Sequence, residues 1–196
     1  MTGRNGHSTV VEMPGVSTSR TRRRFRRIAT VLACLLSLSV AAPATAAAQN
    51  PPGVTWLVTW WNPDRGDAMV SGTLAGDSDA RNSGYRQRSM EGNAFIFPVQ
   101  GTVALYQYWH AGRGDNFLAA SPDGNWSAVV AGYVRVRVEG YAFPYQANGT
   151  VPLYTLWNPV TQDNLSTATA QGYADAVNAG YSFVRVEAYV LPYPLS

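Results

Sequence analysis

A segment of 48 residues occurs three times in this chain, and that spacing constrains the fold more than any local pattern does. Residues 149–196 align without gaps on residues 101–148 and again on residues 53–100. A tryptophan, an aspartate, a Gly-Tyr pair and a glutamate recur at the same position of every repeat. They are Trp61/Trp109/Trp157, Asp67/Asp115/Asp163, Gly84-Tyr85/Gly132-Tyr133/Gly180-Tyr181 and Glu91/Glu139/Glu187. A fixed period of this size indicates a repeat architecture.

Each repeat has the pattern of a strand, a polar turn, a second strand, a short helix and a final strand. Residues 151–157 predict the first strand of the third repeat. Helices are predicted at 126–131 and 174–179, and each should end at a glycine in a left-handed C-cap with tyrosine packed behind it. The final strand alternates strictly, as in residues 134–139, which predicts valines on one face and charges on the other.

Three equal repeats that cannot each bury an apolar face alone predict one mainly β domain over 49–196, with repeats 53–100, 101–148 and 149–196 and a short helix in each. We expect a closed pseudo-threefold arrangement, β-trefoil-like or prism-like, because an open solenoid would need polar end caps. In the first repeat Arg88 stands in register with Val136, and two additional residues precede Pro98. We therefore expect a bulge or a sheet edge there.

Residues 1–48 have the pattern of a disordered extension followed by a signal peptide. A basic region at 20–27 precedes an apolar core at 28–40, and small residues follow. This order predicts export by the Sec or twin-arginine route, with cleavage after Ala46 or Ala48. The apolar run is too short to span a membrane, so we expect a secreted protein with no membrane association after cleavage.

Charge and cysteine content narrow the function classes. Seven of the 15 basic residues, all arginines, lie before residue 49, so the remaining eight face 11 acidic residues and the domain is near −3. That balance argues against a nucleic acid partner. The single cysteine, Cys34, lies in the predicted leader. The domain therefore has no disulfides and must be stabilised by its hydrophobic core. We expect it to be monomeric.

Three repeated sets of residues are candidate ligand sites. An aromatic plane beside polar groups is a common way to bind sugars, because the ring stacks while polar side chains fix the hydroxyls. The predicted sites comprise Trp61, Asn62 and Asp67; Trp109, His110 and Asp115; and Trp157, Asn158 and Asp163. The alternative is that these tryptophans belong to the core and the aspartates only shape a turn.

Two other repeated features favour structural roles. Arg-Gly-Asp occurs at 65–67 and 113–115, but the third copy reads Thr161-Gln162-Asp163, so turn chemistry explains the retained aspartate better than an adhesion motif does. Arg137 and Arg185 each precede a repeated glutamate by two residues, which predicts ion pairs. The alternative is that Glu91, Glu139 and Glu187 hold a cation on the axis.

The residue inventory argues against an enzyme and against a cofactor. Within 49–196 there is one histidine, no cysteine and no lysine, and a Gly-x-Ser-x-Gly elbow is missing. We hypothesise a non-catalytic binding module for a polysaccharide or cell-wall glycan. The alternative is a protein-binding or inhibitor domain that uses residues 81–88; a glycoside hydrolase based on carboxylates is less favoured.

A family resemblance covers residues 53–196. Pro152-Leu153-Tyr154, Asp163-Asn164-Leu165 and Gly180-Tyr181 resemble a repeat domain of unknown function in secreted bacterial proteins, whose repeats read Pro-Leu-Tyr, Asp-His-Phe-Tyr-Thr, Gly-Tyr and Glu-Gly. The family's histidine after Asp is replaced at three positions: Ala68, Asn116 and Asn164. The resemblance implies a binding or adhesion accessory role and no assigned catalytic residue.

Overall fold

The structure, a computed structural model, describes residues 53–195. The predicted extension and signal peptide at 1–48 therefore lie outside the described residues. Within 53–195 there is no helix with the length and apolar character needed to cross a membrane.

The described chain is mainly β and consists of three successive units with the same order of elements, β-β-α-β. The first unit contains β1 (Val54–Asn62), β2 (Asp67–Ser71), α1 (Leu74–Asn82) and β3 (Arg86–Phe95). The second contains β4 (Val103–His110), β5 (Asp115–Ala119), α2 (Pro122–Val130) and β6 (Val134–Ala142). The third contains β7 (Val151–Asn158), β8 (Asp163–Thr167), α3 (Ala170–Asn178) and β9 (Ser182–Val190).

All strand pairs are antiparallel, and in each unit the first strand lies between the other two. The strands form a six-stranded sheet, β2-β1-β3-β6-β4-β5, and a three-stranded sheet, β8-β7-β9, neither of which closes on itself. The final strands, with the residue that follows β6 and the residue that follows β9, also pair between units: Phe95↔Tyr141, Phe143↔Tyr189 and Asn93↔Leu191.

The alternating final strands contain two bulges each, which corrects the prediction of strict alternation. In the first unit Leu57 pairs with Gly92 and Val58 with Met90, so Glu91 is an extra residue in the ladder. The same shifts recur in the other two units. The irregularity expected in the first repeat is therefore present, but it is common to all three units. A bulge redirects its side chain, so Val136 is 48% exposed while Glu139 is fully buried. Val134, which pairs with Trp109, is also exposed, so the valines do not form a buried face.

Helices α2 and α3 begin four residues earlier than predicted because polar N-caps precede them. Ser121 and Thr169 accept hydrogen bonds from the N–H groups of Gly124 and Gly172, and Pro122 suits the first turn. The predicted C-caps are confirmed: the glycines have φ of 84°, 89° and 90°. Tyr133 then donates its N–H to Ala128 O at 2.9 Å, which closes the helix end.

One apolar cluster is shared by all three units. Leu57, Leu105 and Leu153, which occupy equivalent positions, are each 0% exposed and belong to it. Each unit adds a smaller cluster of its own beneath its helix. The short strands β2, β5 and β8 contact one another, so that their first residues, the three repeated aspartates, come together.

Candidate functional site

The three predicted aspartates, Asp67, Asp115 and Asp163, form one buried cluster. Each has a carboxylate oxygen within 4.8 Å of the others, and none is more than 2% exposed. The aspartates, and not the repeated glutamates, are therefore the carboxylates that meet at the centre.

Hydrogen bonds join each aspartate to its own unit and to another. Asp67 accepts the backbone N–H of Asn116 at 2.8 Å, and Asp115 accepts that of Asn164 at 3.0 Å. Asp163 accepts the backbone N–H of Ala68 at 3.0 Å. The tyrosines of the three Gly-Tyr pairs donate their hydroxyls to the aspartates of their own units: Tyr85 to Asp67, Tyr133 to Asp115 and Tyr181 to Asp163.

The cluster is a buried structural centre that links the three units by hydrogen bonds. Burial raises the pKa of Asp115 to about 6, and it raises the pKa of Asp163 further, with the nearby Asp67 charge adding to the effect. Burial also raises the pKa values of the three tyrosines that donate to the cluster. Because every carboxylate oxygen of the cluster already accepts an N–H or O–H group, the arrangement explains the aspartates without a ligand.

The predicted tryptophans are half-buried at the junctions between units, and arginines cover two of them. The guanidinium carbon of Arg65 lies 5.5 Å from the ring centre of Trp109. The guanidinium carbon of Arg113 lies 5.7 Å from the ring centre of Trp157. Position 161, in register with both arginines, is threonine. Within the described part of the chain, Trp61 therefore lacks the cation that covers its two counterparts.

The polar residues predicted beside the tryptophans stabilise turns. Asn62 Oδ1 accepts the N–H groups of Asp64 and Arg65, while its amide donates to Ser83 O at 2.9 Å. Asn158 makes the equivalent bonds, and His110 Nδ1 accepts the N–H of Arg113 at 3.0 Å. The aspartate of each Arg-Gly-Asp copy is buried and accepts a hydrogen bond from another unit, so the aspartate cluster accounts for its recurrence, whereas the sequence analysis attributed it to turn chemistry.

The repeated glutamates bind the start of a helix in another unit. Glu139 Oε2 accepts from Thr73 Oγ1, the N-cap of α1, at 2.7 Å, and Glu187 Oε2 accepts from Ser121 Oγ, the N-cap of α2, at 2.8 Å. The predicted ion pairs are present: Arg137 lies 3.0 Å from Glu139 and Arg185 lies 3.2 Å from Glu187.

A pocket of about 360 Å³ lies where the third unit meets the first, and we call it the Trp61 pocket. Residues of the first unit on its wall include Thr59, Trp61, Ser89 and Glu91; those of the third include Gln171, Asp175 and Tyr181. Trp61 is thus the predicted site residue that lines it, whereas Asn62 and Asp67 do not.

Several lining residues were missed by the sequence reasoning, although the 48-residue spacing contains a signal for them. Ser89 stands in register with Arg137 and Arg185. Ala68, also on the wall, stands where Asn116 and Asn164 donate amides to the aspartate cluster. Positions at which the first repeat has a different residue from the other two, such as Ser89 and Ala68, therefore lie at the junction between the third and first units, where the pocket is.

Comparison with known proteins identifies a family. The chain belongs to the family described as a domain of unknown function (DUF5648), which matches residues 57–191. No curated protein and no solved structure matches the chain. The matched residues extend from the first strand of the first unit to just beyond the last strand of the third, and the family's description assigns no function.

Proposed function

We propose that this chain is a secreted, non-catalytic binding module whose ligand is a carbohydrate or a cell-wall polymer. The Trp61 pocket carries the proposal, because a half-buried indole stands there beside hydroxyls, carboxylates and an amide, and no arginine among residues 53–195 covers its ring. Such an aromatic face can pack on the apolar side of a sugar ring while the polar groups bind its hydroxyls.

The geometry favours one principal site over the three equal sites predicted from the repeats. Arg65 and Arg113 occupy the faces of Trp109 and Trp157 that a sugar would otherwise use. Displacing either arginine would cost its cation–π contact. Trp61 has no such competitor at the equivalent position.

We also propose that the three units close around a pseudo-threefold axis. Support comes from the cyclic order of the aspartate bonds, in which the second unit donates to the first, the third to the second, and the first to the third. The export signal proposed at 1–48 supports secretion, and it lies outside the described residues.

Tryptophan fluorescence of the purified chain, titrated with soluble polysaccharides and cell-wall fragments, tests the binding function. We expect a saturable change with one polymer, an affinity at least about tenfold lower in Trp61→Ala, and little change in the matched variant Trp109→Ala. Circular dichroism controls for folding. Absence of a response across the panel, or equal losses in the two variants, would reject the proposed site.

A further inference from the structure

Two of the three equivalent junctions between units contain an arginine that bridges to a neighbouring helix. Arg137 pairs with the buried Glu139 on its own strand and with Asp79 of α1. Arg185 pairs with Glu187 and donates to Ser127 Oγ of α2 at 2.9 Å. In both cases a guanidinium neutralises a buried carboxylate at the junction.

The third junction, between the third and first units, has Ser89 at the position of that arginine. Glu91 is 2% exposed there and accepts hydrogen bonds from three hydroxyls and one backbone N–H: Thr59, Ser89, Thr167 and Ala168 N. Among residues 53–195 no arginine or histidine nitrogen lies within 4.0 Å of its carboxylate. Asp175, the counterpart of Asp79, lies on the same pocket wall.

The charge of this pocket is opposite to that of its counterpart. A pocket of about 350 Å³ between the first and second units is lined by Arg65, Arg137 and Asp79, which sum to +1. The Trp61 pocket is lined by Glu91, Asp175 and Arg88, which sum to −1. Arg88 is exposed and stands in register with Val136 and Val184, so it does not replace the missing bridge.

We propose that the Trp61 pocket binds the primary ammonium group of an amino sugar, with the sugar ring against Trp61 and the ammonium between Glu91 and Asp175. This inference rests on the proposed carbohydrate-binding function and specifies its ligand. Among the described residues, only neutral groups donate to the Glu91 carboxylate, whereas Glu139 and Glu187 each have an arginine beside them as well, so a ligand cation would supply the opposite charge that this junction lacks. The guanidinium groups at the other two junctions show where such a charge is accommodated.

Oligomers of glucosamine, N-acetylglucosamine and glucose of equal length, titrated against the purified chain, test the inference. We expect glucosamine oligomers to bind at least about tenfold more tightly than the other two, with the advantage falling as salt is added. Methylammonium chloride should compete with the glucosamine oligomers more strongly than sodium chloride of equal ionic strength does.

Ser89→Arg places an arginine at the position that Arg137 and Arg185 occupy in the other two units. Its guanidinium should pair with Glu91 and occupy the place proposed for the ligand's ammonium group. We expect a folded protein with a raised melting temperature and at least about tenfold weaker binding of glucosamine oligomers. Gln87→Arg, on the same strand and outside the pocket lining, is the matched control with the same added charge and should keep the affinity.

The outcomes separate this inference from the proposed function. Equal affinity for free and acetylated amino sugars would overturn the ammonium site and leave carbohydrate binding intact. Binding of an arginine-containing peptide with no response to any sugar would overturn both. Should Ser89→Arg fail to fold, the acetylation comparison and the methylammonium competition on the unaltered chain still decide the ammonium site.

Discussion

Glu91 in β3 accepts a hydrogen bond from Thr167 at the end of β8, with 2.6 Å between Oε2 and Oγ1, although the two residues belong to the first and third units. The equivalent Glu139 and Glu187 bind the N-caps of α1 and α2. Each unit thus contributes a carboxylate to the helix start of another unit. We therefore expect the three units to unfold together.

Tyr133→Phe should destabilise the domain by about 2 kcal/mol, because it removes a hydroxyl that donates to the buried Asp115. Urea unfolding followed by circular dichroism measures the free energy of unfolding. Tyr145→Phe removes a hydroxyl from an exposed side chain and serves as the control, with an expected change within about 0.5 kcal/mol. Equal effects of the two substitutions would contradict a structural role for the tyrosine–aspartate bond.

Gly124→Ala should destabilise the domain although alanine favours helices. A Cβ at this position would overlap the carboxylate of Glu187, which binds the start of α2. The clash should outweigh the gain of about 1 kcal/mol in helix propensity and leave a net loss of about 1–3 kcal/mol. Thermal unfolding measures the effect. Gly112→Ala, whose Cβ would meet only the edge of the His110 ring at 3.2 Å, should stay close to wild type.

The aspartate cluster should make the domain less stable as pH rises. Burial raises the folded-state pKa of Asp115 to about 6 and that of Asp163 further, so both aspartates bind protons in the folded state that they lose when unfolded. Their contribution is complete below about pH 4 and is lost as pH rises through the folded-state values. Melting temperatures between pH 4 and 9, compared at each pH with Asp163→Asn, should show wild type losing more stability than the variant. Parallel curves would contradict this assignment.

Leu105→Ala should cost about 2–5 kcal/mol, because the side chain is fully buried in the cluster that all three units share. Leu74→Ala, at the start of α1 and 89% exposed, is the control and should change stability by less than about 1 kcal/mol. Chemical denaturation should give a single transition for both variants if the units unfold as one. A separate early transition in Leu105→Ala would show that the units are independent.

Local signals predicted the elements of each unit well. The Gly-Tyr pairs marked the helix ends, since a glycine with positive φ and a following N–H bonded to the last turn need only neighbouring residues. Helices α2 and α3 begin before their predicted starts because Ser121 and Thr169 cap them. The alternation of residues 134–139 predicted valines on one face and charges on the other, which was wrong. The bulge at Glu139 depends on pairing with β4 and on a hydrogen bond to another unit, which the alternation does not contain.

The 48-residue spacing shows three similar units in which aromatic, aspartate and glutamate positions recur, and it predicts the two arginine–glutamate pairs. The burial of the aspartates in one cluster, and the difference between one junction and the other two, follow from contacts between units that no spacing reveals. Ser89, Glu91 and Trp61 line a pocket because the third unit brings Gln171 and Asp175 against them. A spacing shows which residues correspond, whereas burial and charge depend on which surfaces meet.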